Sequence, residues 1–230
     1  MAFISIEAQA QRAVLTTRAS VLIPRTISQG ENRARLALVA GGALLLGGDK
    51  VEIEVLVGEG CTLELEDIGG TVAYDADGVE SSWSVSITLA ENAKLIWHAL
   101  PMVVADGSNV NRSTRVTLAE GATALLRETI VLGRHGEVGG NIHQRTDVSY
   151  AGRPLLIEDL RLVGGKGMPG VIGENRVLDS CLILGERAQA PNALQFELSG
   201  SMSRFIGMQT HTSSMDAVWQ KWSTEVFQVV

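Results

Sequence analysis

Aromatic residues are scarce in this 230-residue chain, 4% of the total, so a core must be built from the Val, Leu, Ile and Ala of its 45% hydrophobic fraction. Cysteines number two, Cys61 and Cys181. They stand far apart in apolar segments, which fits neither a disulfide framework nor a CxxC metal clip, and two reduced, buried thiols are expected. No apolar run approaches the roughly 20 residues that crossing a bilayer requires. The opening residues lack the basic stretch and long apolar core of a secretory signal, so a cytoplasmic location is expected. Basic residues are outnumbered 19 to 26, giving a net charge of −7, and such an acidic balance disfavours nucleic acid or an anionic membrane as partner. No GxxxxGK[ST] loop and no GxSxG elbow is present. Among His98, His135, His143 and His211 no two stand at i, i+2 or i, i+4 spacing, so a permanent tight metal site is not expected.

What the chain does have is alternation. Val55-x-Val57-x-Glu59-Gly60-Cys61-x-Leu63-x-Leu65 is matched by Ile87-x-Leu89-x-Glu91-Asn92-Ala93-x-Leu95-x-Trp97, and again by Val116-x-Leu118-x-Glu120-Gly121-Ala122-x-Ala124-x-Leu126. The turn glutamates stand 32 and then 29 residues apart, at 59, 91 and 120. Each unit has the period-two pattern of two strands around a tight turn, with Gly or Asn supplying a positive φ. A weaker echo occurs at Leu182-x-Leu184-x-Glu186. Units stacked at a near-fixed period predict an all-β fold of stacked two-layer sheets or a β-helix-like solenoid, in a single domain over residues 1–230. A plain sandwich with hairpins satisfies the pattern nearly as well. One or two short helices are predicted near the C-terminus, the clearest where Thr212 or Ser213 caps a turn and Met215, Val218, Trp219 and Trp222 recur at helical spacing. It is expected to cover a sheet edge.

Between the repeats, Gly41-Gly42 and Gly47-Gly48 bracket an apolar run that ends on Asp49, which predicts a close backbone approach. Asp75-x-Asp77-Gly78 lacks the later ligands of a calcium loop and predicts a polar turn. Pro101 is expected at a strand end.

Two acids break the apolar faces. Glu128 follows Leu126 at a two-residue step, and Glu158 lies in the series Leu156, Glu158, Leu160, Leu162, so both are predicted to point inward. A buried carboxylate must meet a cation, bind a metal, stay protonated or line a wet cavity. The ion-pair alternatives are Glu128 with Arg134, and Glu158 with Arg161 or Arg145.

Several short motifs in fixed order resemble the urease accessory proteins of the UreD, or UreH, family. They are Leu45-Leu46-Gly47-Gly48-Asp49; Gly60-Cys61-Thr62-Leu63; Leu95-Ile96-Trp97 followed by Leu100-Pro101; Glu128 through Gly133-Arg134 with Gly136-Glu137; Pro154-Leu155-Leu156-Ile157-Glu158; and the Trp-bearing terminal helix. The match spans about Leu15 to Trp222. It departs from the family pattern at Thr71-Val72, where a Ser-Lys pair is common, and at Ala73, Tyr74 and Asp75.

The resemblance implies a non-enzymatic scaffold of stacked sheets that takes part in urease maturation. Its implied partners are apo-urease, an F-type adaptor and a nickel-carrying G-type GTPase. No permanently bound cofactor is implied, only Ni²⁺ in transit. Asp49, Glu128 and Glu158 match family acids that line an internal water-filled passage, and Gly47, Gly48, Arg134 and Glu137 carry over as structural or interaction positions. Hard oxygen ligands suit such transit, since they leave Ni²⁺ hydrated. The alternative from another class is a carbohydrate-active hydrolase of β-solenoid form with Glu128 and Glu158 as its carboxylate pair, which the lack of aromatic residues beside either acid disfavours.

Overall fold

The computed structural model describes residues 1–9 and 12–227. Its strands in chain order are β1 (Ala2–Glu7), β2 (Val14–Arg18), β3 (Leu22–Gln29), β4 (Arg33–Ala40), β5 (Lys50–Val57), β6 (Thr62–Asp67), β7 (Thr71–Ala73), β8 (Ser81–Leu89) and β9 (Lys94–His98). They continue as β10 (Met102–Val104), β11 (Asn109–Leu118), β12 (Thr123–Leu132), β13 (Asn141–Tyr150), β14 (Arg153–Val163), β15 (Val177–Leu184), β16 (Leu194–Gln195) and β17 (Gly200–Gly207). A 3₁₀ turn, Thr210–Thr212, precedes helix α1, Met215–Phe227.

Two sheets face each other. Sheet A has the order β14-β13-β11-β8-β5-β1-β2, and sheet B the order β16-β17-β15-β12-β9-β6-β4-β3, with β10 beside β12 and β7 beside β10. The repeat units are not hairpins. At each Glu-Gly or Glu-Asn turn the chain leaves sheet A and enters sheet B, and the next unit lies parallel to the last: β5, β8, β11 and β13 in sheet A, β6, β9 and β12 in sheet B. This is the coiled arrangement that the near-fixed period predicts.

The turns themselves stack. Gly60 N–H donates to the Glu91 carbonyl at 3.0 Å, and Asn92 N–H to that of Glu120 at 3.2 Å. Gly60, Asn92 and Gly121 adopt φ of 64°, 56° and 71°, the left-handed conformation that the Gly or Asn at this position permits. The echo at Leu184 is not a further unit, because β15 runs antiparallel to β12.

Side chains alternate between the core and the outer face along β5, β8, β11 and β13 of sheet A. In register across the sheet, Val55, Ile87, Val116 and Val148 form one inward row. Opposite them Leu63, Leu95 and Ala124, with Leu65, Trp97 and Leu126, fill the space from sheet B. Each fully buried Leu or Ile contributes roughly 1.5–3 kcal/mol over its exposed state, which is how a core with few aromatic residues is held. Both cysteines are free and buried.

Helix α1 covers a face of sheet B, not an edge. Leu125, Cys181 and Ile183 point outward from β12 and β15 onto Met215, Val218 and the fully buried Trp222. The Ser213 hydroxyl accepts from Met215 N–H at 3.2 Å, the capping that its position before the helix predicts. The other local expectations hold as well. Asp75 accepts from Asp77 N–H at 3.1 Å in a tight turn, and Pro101 sits immediately before β10. A Cβ on Gly47 would lie 3.1 Å from that of Ala76, the close approach expected there.

Candidate functional site

The interior rows of sheet A are not apolar throughout. One row reads Val51, Trp83, Arg112, Gln144 and Leu160, and the next Ile53, Val85, Thr114, Thr146 and Glu158. The polar members gather beneath Glu128, which points inward from β12 as its two-residue step from Leu126 requires. Arg112 Nη2 donates to Glu128 Oε1 at 2.7 Å, Thr114 Oγ1 to the same oxygen at 3.2 Å, and Gln144 Nε2 to Oε2 at 3.1 Å. The Arg112 and Glu128 side chains are only 7% and 13% exposed.

Glu158 also points inward, and Arg204 of β17 grips it with two bonds of 2.8 Å while donating from Nε to Ser180 Oγ at 2.8 Å. Two carboxylate–guanidinium pairs therefore bridge the sheets side by side. The partners differ from those the sequence suggested. Arg134 pairs with Glu137 instead of Glu128, and Arg145 with Asp147 and Asp159 on the outer face of sheet A. Glu158 turns to a strand far away in sequence, not to Arg161 or Arg145.

A third acid joins this seam. Asp67, at the end of β6, accepts from Trp97 Nε1 at 3.1 Å and Leu100 N–H at 3.0 Å. Burial pushes its carboxyl above the usual range, against the opposing pull of these bonds and of Arg112. A cavity of about 30 Å³ lies between Asp67, Thr71, Trp97, Arg112, Thr114 and Glu128. That is room for about two water molecules. Beside it, Arg112 Nε and Gln144 Oε1 are buried without a partner among the described residues. Sequence reasoning passed over Asp67, Arg112 and Gln144, although each sits two residues from an inward apolar position (Leu65, Val110 and Ile142), the same signal that marks Glu128.

Asp49 is placed elsewhere. It closes the turn before β5, its Oδ2 accepting from Leu46 N–H at 3.0 Å, and β8 separates β5 from the strand that carries Arg112. Gly48 holds φ of 85° in that turn, so Gly47-Gly48-Asp49 acts as one backbone unit. Arg134 and Glu137 are likewise local. Glu137 accepts from the Arg134 backbone at 2.7 Å and from its Nε at 2.8 Å, and these bonds hold its carboxyl down at about 2. Asp106 and Gly139 tie the same loop to the end of β10.

A second network lies on the outer face of sheet B, under α1. Arg127 donates to Asp179 through Nε at 3.2 Å and Nη2 at 2.9 Å, and through Nη1 to Asp216 of the helix at 2.5 Å. Asp179 also accepts from Thr129 at 2.9 Å and Ser213 at 2.7 Å. His98 Nε2 lies 3.2 Å from Arg127 Nη1, and its ring packs against Trp219 with centroids 4.8 Å apart. Guanidinium only donates, so Nε2 accepts and the imidazole is neutral with its proton on Nδ1. Burial and then Arg127 push its pKa down. Burial raises the Cys181 thiol to about 12, so it is an inert core group.

Among the described residues no three His, Cys, Asp or Glu side chains gather in a metal cluster. No described helix is long and apolar enough to cross a membrane. Fold and seam thus define a class: a coiled β-sandwich whose buried ionisable groups are engaged in joining its sheets and docking its helix.

The chain belongs to the UreD urease accessory protein family, whose model matches residues 4–223. It is 40% identical over 211 residues to urease accessory protein UreD 1 of Streptomyces griseus, covering 89% of this chain and 83% of that protein. It is 38% identical over 160 residues to UreD 3 of the same organism, covering 68% of this chain and 62% of that one. Identity to UreD 2 of Saccharopolyspora erythraea is 33% over 174 residues, with 74% and 62% covered. The chain thus spans less than two thirds of the length of the last two. Membership supports a role in urease maturation.

Proposed function

We propose that this protein is a non-enzymatic scaffold of the cytoplasm that binds apo-urease, an F-type adaptor and a nickel-carrying G-type GTPase, and so helps Ni²⁺ reach the urease active site. The observation that carries this reading is the family match running along residues 4–223. The hydrolase alternative loses its carboxylates, because Glu128 and Glu158 are each held by an arginine between the sheets.

An interior route for Ni²⁺, the finer part of the proposal, runs along the seam past Glu128 and Glu158, with Asp49 at a distance from both. As arranged, Arg112 and Arg204 neutralise the two acids, and the cavity beside Glu128 has room for only about two waters. Transit of a hydrated divalent ion therefore requires the arginines to leave their carboxylates and the sheets to part locally.

The scaffold reading is tested by co-expressing the tagged chain with urease subunits and the accessory proteins. Co-purification of urease is expected, and failure to capture urease or either accessory protein contradicts it. The route is tested by Glu158→Gln with folding monitored: lowered nickel content in urease supports it, and full nickel loading refutes it.

A further inference from the structure

The two sheets are unequal at one side of the sandwich. Among the described residues sheet A ends at β14, an 11-residue strand that pairs with β13 alone, whereas sheet B continues past β15 through β17 to β16. The Glu158–Arg204 pair places β14 against β17, so β16 projects beyond the edge of sheet A.

The inner face of this overhang is apolar. Met202 and Ile206 stand opposite the core residues Leu182 and Leu178 in register, and Leu194 opposite Met202, so all three face the side that sheet A covers elsewhere. Yet Leu194 is 56% and Ile206 40% exposed. Leu156 and Leu160 of β14, which also point inward, are only partly buried. On the outer side of the same strand Ile157 is 62% exposed. An edge strand with free N–H and C=O groups beside an uncovered apolar shelf is a template for one more strand.

Charge indicates what that strand carries. The acids of β14 are satisfied, Glu158 by Arg204 and Asp159 by His143 and Arg145. Among the described residues, Arg161, on the outer face of β14 opposite His143, has no carboxylate partner.

We infer that β14 is a docking edge, where an extended segment of a partner protein adds as the eighth strand of sheet A. Its alternate apolar side chains lie on Leu194, Met202 and Ile206, and an outward position carries an acid that faces Arg161, the register partner of His143 on the outer face. Backbone bonds to β14 give affinity, and the apolar shelf fixes which face of the incoming strand points inward. The inference rests on the scaffold reading for its partner, one of the proteins assembled with urease; the surface belongs to this chain alone.

The test is amide hydrogen exchange of the full chain, free and within the assembly captured from co-expression with urease subunits and accessory proteins. Protection of amides in 153–163 is expected to rise at least ten-fold in the assembly. Leu194→Glu with Ile206→Glu, both at exposed positions, is expected to lower the captured partner at least ten-fold while the melting temperature of the free chain holds. Capture with unchanged exchange in β14, or undiminished capture by the double variant, overturns the docking edge and leaves the scaffold reading standing. A second copy of this chain protecting β14 in the free protein also overturns it. If wild type captures none of the named proteins, both readings fall.

Discussion

The pair between Arg112 and Glu128 gives a quantitative test of the seam. Replacing Glu128 with Ala leaves the Arg112 guanidinium, 7% exposed, without its counter-charge, and strips Thr114 and Gln144 of their acceptor. Breaking a buried pair from one side costs about 3–5 kcal/mol, because the remaining charge stays out of water. For a chain of this length each kcal/mol moves Tm by roughly 2–4 °C, so a loss of about 6–20 °C is expected. Replacing both partners, Arg112→Met with Glu128→Leu, removes the stranded charge and is expected to recover most of that loss. Urea unfolding followed by the fluorescence of the four tryptophans measures both variants. A cost below about 1 kcal/mol for Glu128→Ala, or a double variant as unstable as the sum of the singles, refutes the assignment of a buried, mutually dependent pair. The same arithmetic bears on nickel delivery: lost nickel in a Glu128 variant carries meaning only against a stability-matched control such as the double replacement.

Asp179→Ala should release Arg127, Thr129 and Ser213 together, so amides of α1 are expected to exchange at least ten-fold faster, and unchanged exchange would show that apolar packing alone docks the helix. Because the His98 pKa is lowered in the fold, the unfolded chain binds more protons below its ordinary value near 6.5, so stability should fall as pH drops from about 7 towards 5 and level off below the folded value. His98→Gln should flatten that segment of the urea midpoint against pH; a profile identical to wild type would remove His98 as its source. A Cβ on Gly164 would lie 1.9 Å from the Gly139 carbonyl oxygen, so Gly164→Ala must displace backbone and is expected to cost several kcal/mol by the same unfolding assay.

The coil of strands was visible in sequence because its cause is local: each rung repeats the same alternation around a residue that tolerates positive φ, and the turns at Gly60, Asn92 and Gly121 conform. Whether those turns close hairpins or hand the chain between sheets depends on long-range pairing, which alternation does not encode. Glu128 and Glu158 were recognisable for a similar reason, since a charge at an inward position stands out against Leu126 or Leu160. Their partners were not, because Arg112 and Arg204 are neighbours only through the stacking of two sheets. The Arg127 network escaped notice because its strand, β12, is buried on both faces. There an outward Arg beneath a helix carries no periodic signature, and the two residues it joins, Asp179 and Asp216, stand 52 and 89 positions away.

The most direct measurement of the maturation role is nickel per urease active site after co-expression of the urease subunits and remaining accessory proteins with and without this chain. Omission is predicted to leave urease assembled but largely without nickel, with restoration when the chain is supplied. Urease that acquires its full complement of nickel in the chain's absence would contradict the account.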